Sequence, residues 1–178
     1  MRIIAGRAKG RVLNTPKSGT RPMTGRARES IFSILAGRCE GAVVLDLYAG
    51  SGSLGLEALS RGASDALFVE RDRAACAVLR KNVERVSLGG RVRTADVALV
   101  LRDVPGRFDL IFVDPPYADD DAKVRGVLEL IDPVLARGGI VVMHRQLRSE
   151  VTTPDFLHTV DERRYGDAVV TMMERAVE

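Results

Sequence analysis

From about residue 42 onward the chain alternates two patterns of apolar and polar positions. Short apolar runs bounded by Gly, Asp or Arg predict strands at 43–47, 65–70, 91–95, 108–113 and 139–144. Amphipathic stretches between them predict helices at about 53–61, 72–87, 97–103 and 119–136. A repeated strand-then-helix order predicts an α/β fold, with a mostly parallel sheet covered by helices on both faces. Val160 to Arg164 and Ala168 to Glu174 flank Tyr165-Gly166-Asp167 and predict a closing β-hairpin. Upstream, Thr24 is placed to cap a helix running to about Arg38, with Ile31, Phe32, Ile34 and Leu35 at helical spacing. Before it, Arg2 to Gly6 and Gly10 to Asn14 read as a short hairpin appended to the core, with a basic tip at Arg7 and Lys9; a loop from Pro16 to Pro22 follows. The expected division is a basic hairpin extension over residues 1–20 and one α/β domain over 21–178.

Composition narrows the class of protein. A chain of 178 residues suits a single core that buries roughly 70% of its unfolded surface. Apolar residues make up 46% and charged residues 29%, and no apolar run approaches the roughly 20 residues of a membrane span. No signal-peptide core is visible near residue 1. Cys39 and Cys76 stand alone, which suggests neither a disulfide framework nor a zinc site. A reduced, cytoplasmic setting is expected, with no membrane, metal or obligate protein partner. The net charge of +3 hides an uneven distribution: residues 1–38 hold nine Lys and Arg against Glu29 alone, which leaves +8 there and −5 on the remainder. A basic arm on an acidic body is the footprint of a protein that grips phosphates at one end. Arg2, Arg7, Lys9 and Arg11, with Arg21 and Arg26 near the helix start, are the candidate phosphate contacts.

Candidate chemistry centres on Asp114-Pro115-Pro116-Tyr117, just past the strand at 108–113. Ligands of open α/β sheets bind at that edge. Two prolines stiffen the turn and remove two backbone donors, so the Asp114 carboxylate and the Pro115 carbonyl can only accept hydrogen bonds. An exocyclic amine of a nucleobase offers two N–H donors, and Tyr117 offers a ring on which the base can stack.

A second constellation is Val43 to Gly55, a strand, a glycine-rich turn and a helix start. Gly50, Gly52 and Gly55 satisfy G-x-G-x-x-G, and Glu70 lies 20 residues after Gly50 at the end of the next strand, placed to accept from ribose hydroxyls. This much permits a nicotinamide dinucleotide enzyme. Three features favour S-adenosylmethionine. Asp46 puts a carboxylate where a pyrophosphate would be repelled and a cationic amino-acid group welcomed. Asp96 is positioned to accept from an adenine amine while Val97 packs on the ring, although a helix N-cap is the competing reading for Asp96. The Asp114 turn, for its part, has no role in hydride transfer.

These segments together resemble the class I S-adenosylmethionine-dependent methyltransferases, and within them the small bacterial family that methylates guanine N2 in small-subunit (16S) ribosomal RNA. The resemblance is carried by Met1 to Gly6, Thr20 to Thr24 with Arg28-Glu29, Leu45 to Gly52, Leu56 to Gly62, Asp114 to Tyr117 and Tyr165 to Asp167, in the family's order. It implies a Rossmann-like, seven-stranded, mostly parallel sheet with a reversed last strand, and an N-terminal hairpin that grips RNA. It also implies a cofactor site lined by Asp46, Gly50, Ser51, Gly52, Glu70, Arg71, Asp96 and Val97, with Thr24 and Arg28 as a cofactor-side motif. Asp114, Pro115 and Tyr117 become the catalytic set, and 16S rRNA or an assembling small subunit the partner. Tyr48 stands where relatives have Phe, and His144 where they commonly have an acid, so His144 is assigned no role. His158 has no neighbours in sequence that complete a metal or nucleophile set. An adenine-N6 methyltransferase and an inactive RNA-binding module remain the competing readings.

Overall fold

The computed structural model describes residues 1–16 and 23–176. Its centre is a seven-stranded sheet built from β1 (Val43–Leu47), β2 (Asp65–Glu70), β3 (Arg91–Thr94), β4 (Phe108–Val113), β5 (Leu135–Gln146), β6 (Leu157–Tyr165) and β7 (Ala168–Arg175). The strand order is β3-β2-β1-β4-β5-β7-β6, and β7 runs antiparallel to both of its neighbours. This is the expected mostly parallel sheet with a reversed last strand. The strand order changes direction between β1 and β4, which opens a crevice at the carboxyl ends of these strands.

Period-2 alternation explains how the sheet holds two cores. Val44, Phe68, Leu110 and Phe112 face α1 (Gly25–Leu35), α2 (Ser53–Ser60) and α3 (Arg73–Val86). Leu45, Leu47, Leu67, Val69, Ile111 and Val113 face α4 (Val97–Asp103) and α5 (Asp121–Leu130). On the first face the Phe32 ring lies 5.8 Å from that of Phe112. No helix of the described residues is long and apolar enough to cross a membrane.

Several boundaries differ from expectation. The helix expected over 119–136 is α5, Asp121–Leu130, followed by a 3-10 turn at Asp132–Val134 and by β5, which starts at Leu135 instead of 139. Pro133 has no N–H to continue an α-helix, and Asp120 caps the other end by accepting from the Lys123 N–H. α1 stops at Leu35, before Ala36-Gly37, and not at Arg38. The closing hairpin is longer than expected, with nine residues in β6 and eight in β7.

The N-terminal segment is the larger correction. The two expected runs do pair, but only briefly: Arg2 and Val12 form one antiparallel bridge, flanked by bonds from the Ile3 N–H to the Arg11 carbonyl and from the Leu13 N–H to the Met1 carbonyl, and the segment lies against α2 instead of standing apart from the core. The Ile4 and Ala5 N–H groups donate to the Glu57 carboxylate, the Arg7 N–H to the Ser60 carbonyl and the Ala8 N–H to Ser60 Oγ. Donors given to α2 cannot extend the pairing into longer strands. Ile3, Ala8 and Leu13 are buried with the side chains of α1 and α2, so the segment completes the core. That is why α2, apolar on nearly every side, has all residues from Leu54 to Ser60 buried. The boundary drawn at residue 20, the loop up to Pro22 and the Arg21 assignment fall outside the described residues.

Candidate active site

The chain leaves β1 through Tyr48, Gly50 and Gly52, all with positive φ of 60°, 53° and 78°. The positive φ of Gly52 favours glycine, and a Cβ there would stand 2.4 Å from Leu79 Cδ1, so the buried Leu79 side chain would have to shift. A Cβ on Gly50 would meet nothing nearer than the Tyr48 carbonyl at 3.9 Å. The turn is thus packed on its inner side and open in front of Gly50. Ser51 follows, half-buried, and its carbonyl accepts from Asn82 Nδ2 at 2.9 Å.

Asp46 sits differently from expectation. It is the fourth residue of β1, on the same face as Val44, and is only 2% exposed beneath α2. Its Oδ2 accepts from the Gly55 N–H at 2.9 Å. Burial pushes its pKa up to about 8; the Gly55 N–H opposes this, and the nearby Asp114 and Glu70 charges reinforce it. Asp46 therefore braces the glycine turn from below and does not present a surface charge.

Glu70 ends β2 and joins two elements. Its Oε2 accepts from the Gly50 N–H at 3.0 Å and its Oε1 from the Asp72 N–H at 2.8 Å. Each oxygen keeps a lone pair for a further donor. Arg71 beside it is exposed. Asp96 follows β3 and caps α4, its Oδ1 accepting from the Ala98 N–H at 2.9 Å. Val97 is buried with Val100 and Leu101 in the second core, so it packs inward and not toward the crevice. Open glycine backbone flanked by two carboxylates at adjacent strand ends fits an adenosine ligand, whose hydroxyls and amine donate.

The Asp114 turn leaves β4, with the Asp114 side chain 30% exposed and Pro115 buried. Its backbone is held by Arg145, a buried β5 residue. That guanidinium donates to the Pro116 carbonyl at 3.2 Å, the Asp119 carbonyl at 2.9 Å and Asp121 Oδ1 at 3.2 Å. Hydrogen bonds from Ser149, the Glu150 N–H and Arg145 hold the Asp121 carboxyl below its ordinary pKa. Next to Arg145, His144 Nδ1 lies 2.8 Å from Asp114 Oδ1, and the Tyr117 ring stands 6.4 Å from the imidazole. A cleft of about 610 Å³ opens here, lined by Thr24, Arg26, Tyr117, His144, Arg164 and Asp167 among others.

The remaining predicted residues divide into two groups. Thr24 caps α1 by accepting from the Ala27 N–H at 3.2 Å and lines the cleft together with exposed Arg26. Arg28 turns away and is buried, its Nη2 donating to the Arg2 carbonyl at 2.6 Å; burial lowers its pKa, against the effect of Glu57. Arg2, Arg7, Lys9 and Arg11 are exposed. Arg7 also reaches the Leu59 carbonyl, and Arg11 the Arg85 and Val86 carbonyls at the end of α3. Sequence reasoning missed four supports of the site: His144, Arg145, Asn82 and Glu57. Asn82 is buried in α3, accepts from the Asn14 N–H, and donates to the Asn14 and Ser51 carbonyls, which ties the N-terminal segment to the glycine turn. A polar residue at a core position of an amphipathic helix was the one available signal for it.

The family model described as "Conserved hypothetical protein 95" matches residues 1–174. Ribosomal RNA small subunit methyltransferase D of Haemophilus influenzae is 36% identical over 173 residues, covering 93% of this chain and 89% of its own. The protein of the same name from Escherichia coli (strain K12) is 43% identical over 131 residues, covering 72% and 63%. The solved structure of yhhF from Escherichia coli superposes with a TM-score of 0.90 at 32% identity, covering 100% of this chain and 99% of that one.

Proposed function

We propose, from the premise that this chain belongs to the conserved hypothetical protein 95 family, that it is a ribosomal RNA methyltransferase acting on the exocyclic N2 of a guanine in small-subunit (16S) rRNA. The observation that carries the reading is the Asp114-Pro115-Pro116-Tyr117 turn, held at the carboxyl end of β4 beside an open cleft and next to the glycine turn after β1. The cofactor is S-adenosylmethionine, which supplies an electrophilic methyl group when bound. Backbone around Gly50, Ser51 and Gly52 would let it approach, Glu70, which holds the Gly50 N–H, would accept from its ribose hydroxyls, and Asp96, which caps α4, would accept from its adenine amine. Arg71 and Thr24 border that site. Asp46 supports it from beneath through Gly55, whereas Arg28 holds the N-terminal segment through the Arg2 carbonyl.

Guanine N2 is a weak nucleophile because its lone pair is delocalised into the ring, so the protein must position it. The Asp114 carboxylate and Pro115 carbonyl accept the two N–H bonds, which turns the lone pair toward the methyl group. They also stabilise the positive charge that grows on nitrogen. Tyr117 holds the base flat. A base stacked in a helix cannot enter such a cleft, so the target is a loop nucleotide or one extruded from its stack. Exposed Arg2, Arg7, Lys9, Arg11 and Arg26 supply phosphate contacts.

The test is incubation of undermodified small subunits, and of naked 16S rRNA, with methyl-labelled S-adenosylmethionine, followed by nucleoside analysis and mapping. N2-methylguanosine at one position is the expected product. N6-methyladenosine would transfer the same turn to adenine, and bound cofactor without any incorporation would leave an RNA-binding module.

A further inference from the structure

We propose that His144 is a positioning residue that fixes the Asp114 carboxylate and decides which of its oxygens meets the substrate amine; this rests on the reading of the Asp114 turn given above. His144 lies within β5, 5% exposed, with β4 on one side and Val170 of β7 opposite it on the other. Its backbone is therefore held in the sheet on the β7 side, one residue past the last β4 pair, with the imidazole buried. Nδ1 is 2.8 Å from Asp114 Oδ1. An ionised carboxylate only accepts, so Nδ1 carries the proton in this contact. Oδ1 is thereby turned toward the imidazole with one lone pair left, and Oδ2, with both of its lone pairs available, is the oxygen directed to accept from an incoming N–H beside the Pro115 carbonyl.

The arrangement answers a weakness of the turn. Two prolines stiffen the backbone after Asp114 but leave its side-chain torsions free, and a carboxylate that rotates presents no defined acceptor direction. A donor on a buried strand removes that freedom before substrate arrives, and preorganisation of this kind acts on the rate and not on affinity. The Tyr117 ring, tilted by 43° from the imidazole, borders the same cleft, so base stacking and carboxylate orientation are set by adjoining side chains.

Single-turnover methylation of undermodified small subunits at saturating cofactor and RNA tests this. His144→Ala should slow the step by roughly 10- to 100-fold, the scale of one charge-assisted hydrogen bond, with RNA and cofactor dissociation constants unchanged. His144→Asn should restore most of the rate, because its amide N–H can stand where Nδ1–H stood. A His144→Ala rate equal to wild type, a loss confined to KM, or an Asn variant as slow as the Ala variant would overturn the proposal. A second readout needs no RNA and no variant at His144. Nitrogen-15 NMR of the wild-type imidazole should show Nδ1 protonated, and Asp114→Asn should shift that resonance. A ring protonated at Nε2 alone, or one indifferent to Asp114→Asn, would overturn it equally. If the wild type methylates no RNA, the substrate reading fails, while the NMR measurement still decides the His144–Asp114 pairing.

Discussion

Asp46 carries a proton that the unfolded chain would not hold. Its folded pKa of about 8 lies above the ordinary 3.8, so the stability it contributes is fully present below the unfolded value and is lost as pH rises through about 8. Melting temperature should therefore fall between about pH 5 and about pH 9 in wild type, and Asp46→Asn should flatten that slope, since an amide oxygen still accepts from the Gly55 N–H. Thermal melts of the two proteins across that range check it. At Glu70, replacement by Ala should weaken S-adenosylmethionine binding by about 1–3 kcal/mol, the scale for losing charged hydrogen bonds. Unchanged affinity by calorimetry would remove its assignment. The spacing of Gly50, Gly52 and Glu70 was legible from the sequence because it reflects one strand-turn-helix unit. The burial of Asp46 was not, because it depends on α2 being covered from outside. Nor was the contact of His144 with Asp114, which joins residues 30 apart on neighbouring strands.

Among the elements, the N-terminal segment and α2 act as one unit. Glu57 is fully buried and accepts from the Ile4 and Ala5 N–H groups and from Arg61 Nε. Glu57→Ala would leave two backbone donors and a half-buried guanidinium without their acceptor, a loss on the order of 3 kcal/mol. For a chain of this size that lowers the melting temperature by roughly 10 °C. A change under about 2 °C in calorimetry would mean that the segment is held by other contacts. β1, β2 and β4 have the bounds read from the apolar runs, because those strands are buried on both faces and their sequences say so. The N-terminal pairing stays short for the opposite reason: the Ile4, Ala5 and Ala8 N–H groups meet side chains of a helix some 50 residues away, which no local pattern encodes.

For the whole molecule, the uneven charge is a claim about RNA. Truncating residues 1–15 would strip Ile3 and Leu13 from the core as well as four cations, so a quadruple Arg2→Ala, Arg7→Ala, Lys9→Ala and Arg11→Ala variant is the cleaner probe. Each phosphate contact contributes up to about 0.9 to the slope of log affinity against log salt on duplexes and about 0.7 on single strands, so the slope should flatten by up to roughly 3. Binding isotherms at several salt concentrations read it, with S-adenosylmethionine affinity as the control. An unaltered slope would take RNA contact away from the segment.

The sheet also has two free edges, and each is blunted. β3 is four residues long and bears Arg91 and Arg93, which reach to Asp65 and Asp103. β6 carries Asp161-Glu162-Arg163-Arg164, and its pairing with β7 slips between Thr159 and Asp161. A short edge and a charged, irregular one are poor templates for another chain's backbone. The hairpin that lines the cleft is thus also the element that blunts one edge of the sheet, while the short, charged β3 blunts the other.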